Sequence, residues 1–232
     1  MATLSEMQSF VRIHADADVE DAPNETLEVY ARIAYNDILS RRNGWPHLMV
    51  EGELLTVPNQ DTYDLSAVTG VTTSLDLVLS VMDQNTLGRR LVFMTQSDAD
   101  IAFGTPVSIS NEIATAYTIV GSSIILYPKP STARTYKVRG VRVAATWPNG
   151  AGSSPDLPAE LHDAISWYML SSYFMAQEDT QLAGVYMGEY EKMVDRFMKN
   201  QTTKEFSQRV AVIGGQNYRQ PSFGRWVRGM VE

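Results

Sequence analysis

Apolar residues recur at helical spacing in four stretches of the chain. Met7, Phe10 and Val11 share one side of residues 5–13, which predicts a short helix. The polar run HADADVEDAPNE follows as a loop, and then Leu27, Tyr30, Ala31, Ala34 and Ile38 repeat the helical period. Asn24 is the expected N-cap of this second helix, with Glu25 and Glu28 in its first turn. Arg41 and Arg42 fall where a helix C-terminus favours cations, Gly44 can cap, and Trp45-Pro46 closes the helix. Much later, Leu161, Ile165, Tyr168, Met169 and Ser172 form one face; Asp156 suits its N-cap, and Pro158 just inside can shift that boundary. After a break at Asp179 or Thr180, Leu182, Val185, Tyr186, Tyr190, Met193 and Phe197 form another. Two such helices with a short link predict an antiparallel hairpin.

Between these helices the pattern changes to alternation. Val, Thr, Ile and Tyr alternate with polar residues, broken by Gly, Pro, Asn and Asp. Strands are expected at 48–57, 62–65, 75–83, 88–94, 107–110, 116–120, 123–127 and 134–146. Gly121-Ser122-Ser123 reads as a hairpin turn, and 95–102 as one or two helical turns with Ser97 as cap. The expected fold is α+β. A helical bundle formed by 1–47 and 148–200 carries an inserted antiparallel β-sandwich or barrel at 48–147. Beyond Asn200 the period is lost, and residues 201–232 are expected to form an extended tail.

Composition narrows the chemistry. A 44% apolar fraction is enough for a core that needs no staple. There is no cysteine, so disulfides, thiolate metal sites and cysteine nucleophiles are excluded. No apolar run approaches the length of a membrane span. The opening MATLSEMQSF lacks a basic start and apolar stretch, so synthesis in the cytoplasm is expected.

The net charge of −8 argues against a main role in gripping nucleic acid. It is also uneven. Residues 1–30 hold seven acids (Glu6, Asp16, Asp18, Glu20, Asp21, Glu25, Glu28) against Arg12. Residues 201–232 hold five bases (Lys204, Arg209, Arg219, Arg225, Arg228) against Glu205 and Glu232. Opposite-sign ends suit assembly between copies.

Catalytic signatures are weak. There is no Gly-x-Ser-x-Gly, and Gly150–Ser154 lacks the Lys of a phosphate loop. His14, Asp16, Asp18, Glu20 and Asp21 have oxygens a hard cation favours. However, Asp21 stands where a calcium loop needs glycine and Leu27 where it needs glutamate, so a solvated acidic loop is expected. His162 and Asp163 are adjacent and do not face each other on a helix. No catalytic, metal or cofactor residue is assigned.

The residues LEVYARIAYNDILSRR (27–42) and PDLPAELHDAISWYMLSSYFMAQEDTQLAGVYMGEYEKMVDRFM (155–198) resemble head-to-tail adaptor proteins of tailed double-stranded DNA phages. The shared pattern is a Pro-rich lead-in, a helix with a Tyr-rich face, and a second helix with a Gly-x-Tyr interruption, here Gly184, Gly188 and Tyr190. The strands at 63–83 and 117–145 resemble the β-domain inserted in longer, podovirus-like adaptors. The resemblance implies a non-enzymatic ring, commonly of twelve copies, at the head-tail junction of the virion. It implies a portal above, tail nozzle or tail proteins below, and DNA passing through the channel without sequence-specific binding. An acidic channel wall would let the genome slide. Phe206, Tyr218, Phe223 and Trp226 are then the expected anchors, and Arg209, Arg219, Arg225 and Arg228 the expected charge partners, toward portal or neighbour. The rival readings are a tail-tube, tail-completion or decoration protein, a carbohydrate-binding module, and a hydrolase.

Overall fold

A computed structural model describes residues 2–42, 44–71, 74–86, 88–104 and 110–214, with side chains through Gln201. Two helices come first, α1 (Leu4–Ala15) and α2 (Asn24–Ser40). Ten strands follow: β1 (Met49–Leu55), β2 (Thr62–Asp64), β3 (Leu75–Asp83), β4 (Arg89–Arg90), β5 (Val92–Phe93), β6 (Ser110–Asn111), β7 (Ala116–Val120), β8 (Ser123–Tyr127), β9 (Lys129–Pro130) and β10 (Thr135–Arg142). Helix α3 (Gln96–Phe103) lies among them, and α4 (His162–Ala176) and α5 (Thr180–Gly214) complete the described chain.

The fold is α+β, with the β part between the helices, as the alternating periods predict. One sheet has the order β1-β10-β3-β4 and is antiparallel throughout. A second has the order β2-β8-β7-β5, with β5 running parallel to β7. A third pairs β6 with β9, also in parallel. The inward residues of the first two sheets share one core, including Leu54, Val81, Tyr136 and Val138 from one and Tyr63, Tyr117, Ile124 and Leu126 from the other. Residues 107–109 of an expected strand lie outside the described residues.

Strand β10 serves two cores. Tyr136 and Val138 face the sandwich, while Val141 joins the helical core with Leu27, Trp45, Trp147, Ile165 and Tyr190. The pairing of β10 with β3 shifts between Arg139 and Gly140 and again between Val141 and Arg142. Between those two shifts the backbones come very close, and a Cβ at Gly140 would sit 2.5 Å from the Leu77 carbonyl oxygen. Gly140→Ala is therefore expected to cost about 1–3 kcal/mol, because backbone has to move. A urea titration checks this, and an unchanged midpoint would rule it out.

Three expected caps are displaced. Asn24 is inside α2, Pro23 takes the cap position, and the Asn24 side chain accepts from Arg12 instead. Asp156 does not cap the later helix; a 3-10 turn at Ala159–Leu161 leads into α4. Thr95, not Ser97, caps α3, accepting from the Asp98 amide. The first helix starts on a capping box formed by Thr3 and Glu6.

Helix α5 also departs from expectation in two ways. It continues to Gly214 instead of losing structure at Asn200. Its buried face is Ala183, Tyr190, Val194 and Phe197, while Leu182 and Val185 are exposed. The small Ala183 lets α4 approach closely, and Ser171 Oγ donates to the Ala183 carbonyl at 2.8 Å.

Candidate interaction surfaces

Helix α5 is fixed to the bundle by a polar cluster at the end of α2. Arg41 donates to both carboxylate oxygens of Glu191, at 2.6 and 2.7 Å, and through Nε to Asp37 at 2.8 Å. Its guanidinium lies 5.1 Å from the centre of the Tyr190 ring. The buried Tyr190 donates its hydroxyl to Asp37. Burial, and then the Asp37 bond, raise the Tyr190 hydroxyl above its ordinary value. The sequence pointed to Arg41 as a dipole partner only. Glu191 lies 150 residues away, and no local signal joins them.

A second cluster ties the β part to the helices. Arg142 grips Asp156 with two bonds at 2.6 and 2.7 Å, and the Ala145 amide donates to the same carboxylate at 3.0 Å. Tyr35 donates to the Ala145 carbonyl at 2.7 Å, and burial pushes its hydroxyl up to about 12. His47 Nε2 donates to the Asp156 carbonyl at 3.0 Å, leaving Nδ1 buried with no hydrogen-bond partner. The buried His162 accepts from the Ala2 amide and donates to the Leu157 carbonyl, so it holds chain segments together and has no acid partner in Asp163.

These contacts set an acid response. The two bonds from Arg142 hold the Asp156 carboxyl below its ordinary 3.8, and those from Arg41 hold Glu191 below 4.5. Burial pushes the His47 imidazole below 6.5. Each of these groups takes up a proton more readily in the unfolded chain, so its contribution is complete above the ordinary value and is lost as pH falls. Stability is expected to decline first below about pH 6.5 through His47, then below about pH 4 through the two carboxyls. His47→Gln should remove the first decline and keep the second. A native-sequence denaturation midpoint that stays flat between about pH 7.5 and pH 5 would contradict the His47 assignment.

The acidic loop forms no metal cage. The Asp18 carboxylate accepts from the Glu20 and Asp21 amides, and no group of three or more acids or histidines is placed to hold a metal ion among the described residues. No described helix is long and apolar enough to cross a membrane. A cleft of about 660 Å³ opens between the two large sheets, lined by Leu77, Leu79, Val92, Phe93, Tyr117 and Ile119.

Of the expected anchors and charge partners, Phe206 and Arg209 fall on the last turns of α5. Tyr218, Arg219, Phe223, Arg225, Trp226 and Arg228 lie outside the described residues. A family model described as SU10 adaptor protein matches residues 2–213. The chain belongs to the SU10 adaptor protein family. This supports the resemblance to phage adaptors carried by residues 27–42 and 155–198. The SU10 adaptor match takes in the helical core, the sandwich core and α5 up to Ile213, one residue short of its end. Phe206 and Arg209 are inside it; the other six anchor residues are beyond it. Among curated proteins, none matches the chain.

Proposed function

We propose that this SU10 adaptor is a podovirus-like, structural ring component of the head-to-tail junction. In this reading about twelve copies sit under the portal, meet tail nozzle or tail proteins below, and continue the DNA channel without reading sequence. The family match over residues 2–213 carries the proposal. The shape of α5 supports it. The helix is held by Arg41 and Tyr190 and then runs on past Phe197 for about 25 Å, at roughly 1.5 Å per residue. Phe206 and Arg209 ride on that extension, which delivers the segment containing Tyr218, Arg219, Phe223, Arg225, Trp226 and Arg228 to a partner. Aromatic and arginine side chains are the usual anchors of such contacts. The net charge of −8 suits a channel past which DNA slides.

The test is cryo-electron microscopy of the chain mixed with the portal of its own genome, beside a variant lacking residues 206–232. The full chain should form a ring seated on the portal. The deletion should lose docking while keeping the circular dichroism of a folded α+β protein. A full chain that stays monomeric and ignores the portal would refute the adaptor role, and undiminished docking by the deletion would refute the role of the C-terminal residues.

A further inference from the structure

Six rings form a continuous ribbon across three helices of the bundle. Phe10 and His14 of α1 stack at 3.9 Å, and Phe10 meets Trp167 of α4 edge-on at 5.1 Å. Trp167 stacks on Tyr186 of α5 at 5.7 Å, Tyr186 on Phe174 at 5.5 Å, and Phe174 meets Tyr173 at 5.5 Å. None of the six is fully buried. Exposed aliphatic side chains widen the strip: Ile13 is 76% exposed, Val185 56%, Met175 56% and Leu182 37%. A connected apolar surface of this kind marks a contact site more often than it does ordinary surface. Acids stand at both ends. Asp16, Asp18, Glu20 and Asp21 follow His14 directly, and Glu178 and Asp179 form the turn after Met175. Arg12, the base nearest in sequence, is turned to the Ala22 carbonyl and Asn24.

We infer that this ribbon is the docking site for the C-terminal segment, residues 215–232, of a second copy of the chain. The inference rests on the ring reading above. The chemistry is complementary: that segment alternates rings with cations, as Tyr218-Arg219, Phe223, Arg225-Trp226 and Arg228. Its rings stack on the ribbon, and its guanidinium groups reach the acids at either end. Reach disfavours the segment's own bundle. From Tyr186 to Gly214 the helix advances about 42 Å at 1.5 Å per residue. An extended chain from Gly214 returns Tyr218 by only about 14 Å and Phe223 by about 31 Å. Both fall short of the ribbon they leave behind, and Trp226 comes level with it only at full extension, about 42 Å, so the chain's own bundle cannot seat all three rings, whereas a neighbouring copy can place its ribbon within range of them. The contact joins two different patches head-to-tail, and a contact of that kind generates a ring when its rotation closes.

The absence of cysteine makes the test direct. One full-length chain carries Val185→Cys beside the ribbon, another carries Gly224→Cys in the C-terminal segment, and the two are mixed with a short bismaleimide. The control replaces the first with Ser131→Cys, an exposed position on the β part. The expected result is a mixed cross-linked dimer at least tenfold above the control. Ile13→Lys in the ribbon chain should reduce it several-fold. The reaction is run with and without portal, and portal capture is scored separately by pull-down. Portal capture with mixed product no greater than the control overturns the inference and leaves the adaptor reading standing. Mixed product without portal capture upholds the inference and removes the adaptor reading.

Discussion

Replacing Arg134 with Met is expected to cost the β part about 3–5 kcal/mol, because it strands a buried charge. Asp83 is fully buried, and Arg134 Nη1 donates to it at 3.0 Å. The carboxylate also accepts from the Asn85 amide at 2.9 Å and the Thr86 hydroxyl at 2.6 Å. Those two neutral donors cannot replace a cation. Arg134 Nη1 also donates to Thr86 Oγ1 at 3.1 Å, while its contacts with the Glu112 carbonyl and carboxylate lie at the surface and contribute less. Asp83→Asn added to Arg134→Met should recover much of the loss, since it removes the stranded charge. Urea denaturation of the single and double variants measures both quantities. A loss under about 1 kcal/mol in the single variant would show that the pair is not a keystone of this sandwich.

Trp45→Ala is expected to cost a similar amount, about 3–5 kcal/mol, through a cavity at the junction of helices and sheet. Trp45 is 1% exposed, its ring is 6.0 Å from that of Phe197 on α5, and its indole donates to the Leu39 carbonyl at 3.1 Å. The loss should appear locally as well as globally. Hydrogen exchange should rise in α5 near Phe197 more than in β7 or β8. Trp45→Phe keeps most of the apolar volume and loses the hydrogen bond, so it should cost about 1 kcal/mol. Uniform exchange changes across both cores would argue that Trp45 does not hold α5 in place.

Why some elements are legible in the residues and others are not has physical causes. Strands such as 116–120 and 123–127 are plain because β-branched and aromatic residues run between turn residues; both of their faces are covered, Tyr117, Ile124 and Leu126 by the sandwich core and Ala116 and Tyr127 by a smaller cluster with Phe103 of α3. Gly121, at φ 59°, marks the turn between them. The caps are not legible because a cap is a local inference and the decisive partners are distant. Arg142 claims Asp156, and Arg12 claims Asn24. The buried face of α5 is hidden in the sequence because Leu182 and Val185 are apolar yet exposed, while the small Ala183 packs inward. The extension to Gly214 leaves no periodic signal because residues 201–214 lack an apolar period. They still hold helix formers such as Lys204, Glu205, Gln208, Arg209 and Ala211, with no proline or interior glycine. The aromatic ribbon was invisible for a related reason. Its rings come from three helices, and only packing shows that they touch.

The pairing of Met49 with Val141 has a further consequence. The chain departs from the helices and comes back to them at facing positions in one sheet, about 5 Å apart. Everything between is a closed excursion whose two ends a couple of residues could bridge. Its size is thus uncoupled from the helical frame. Hairpins can be lengthened, trimmed or replaced wholesale without moving α2 relative to α4. Such a cassette is the place where insertion and deletion carry the smallest structural penalty.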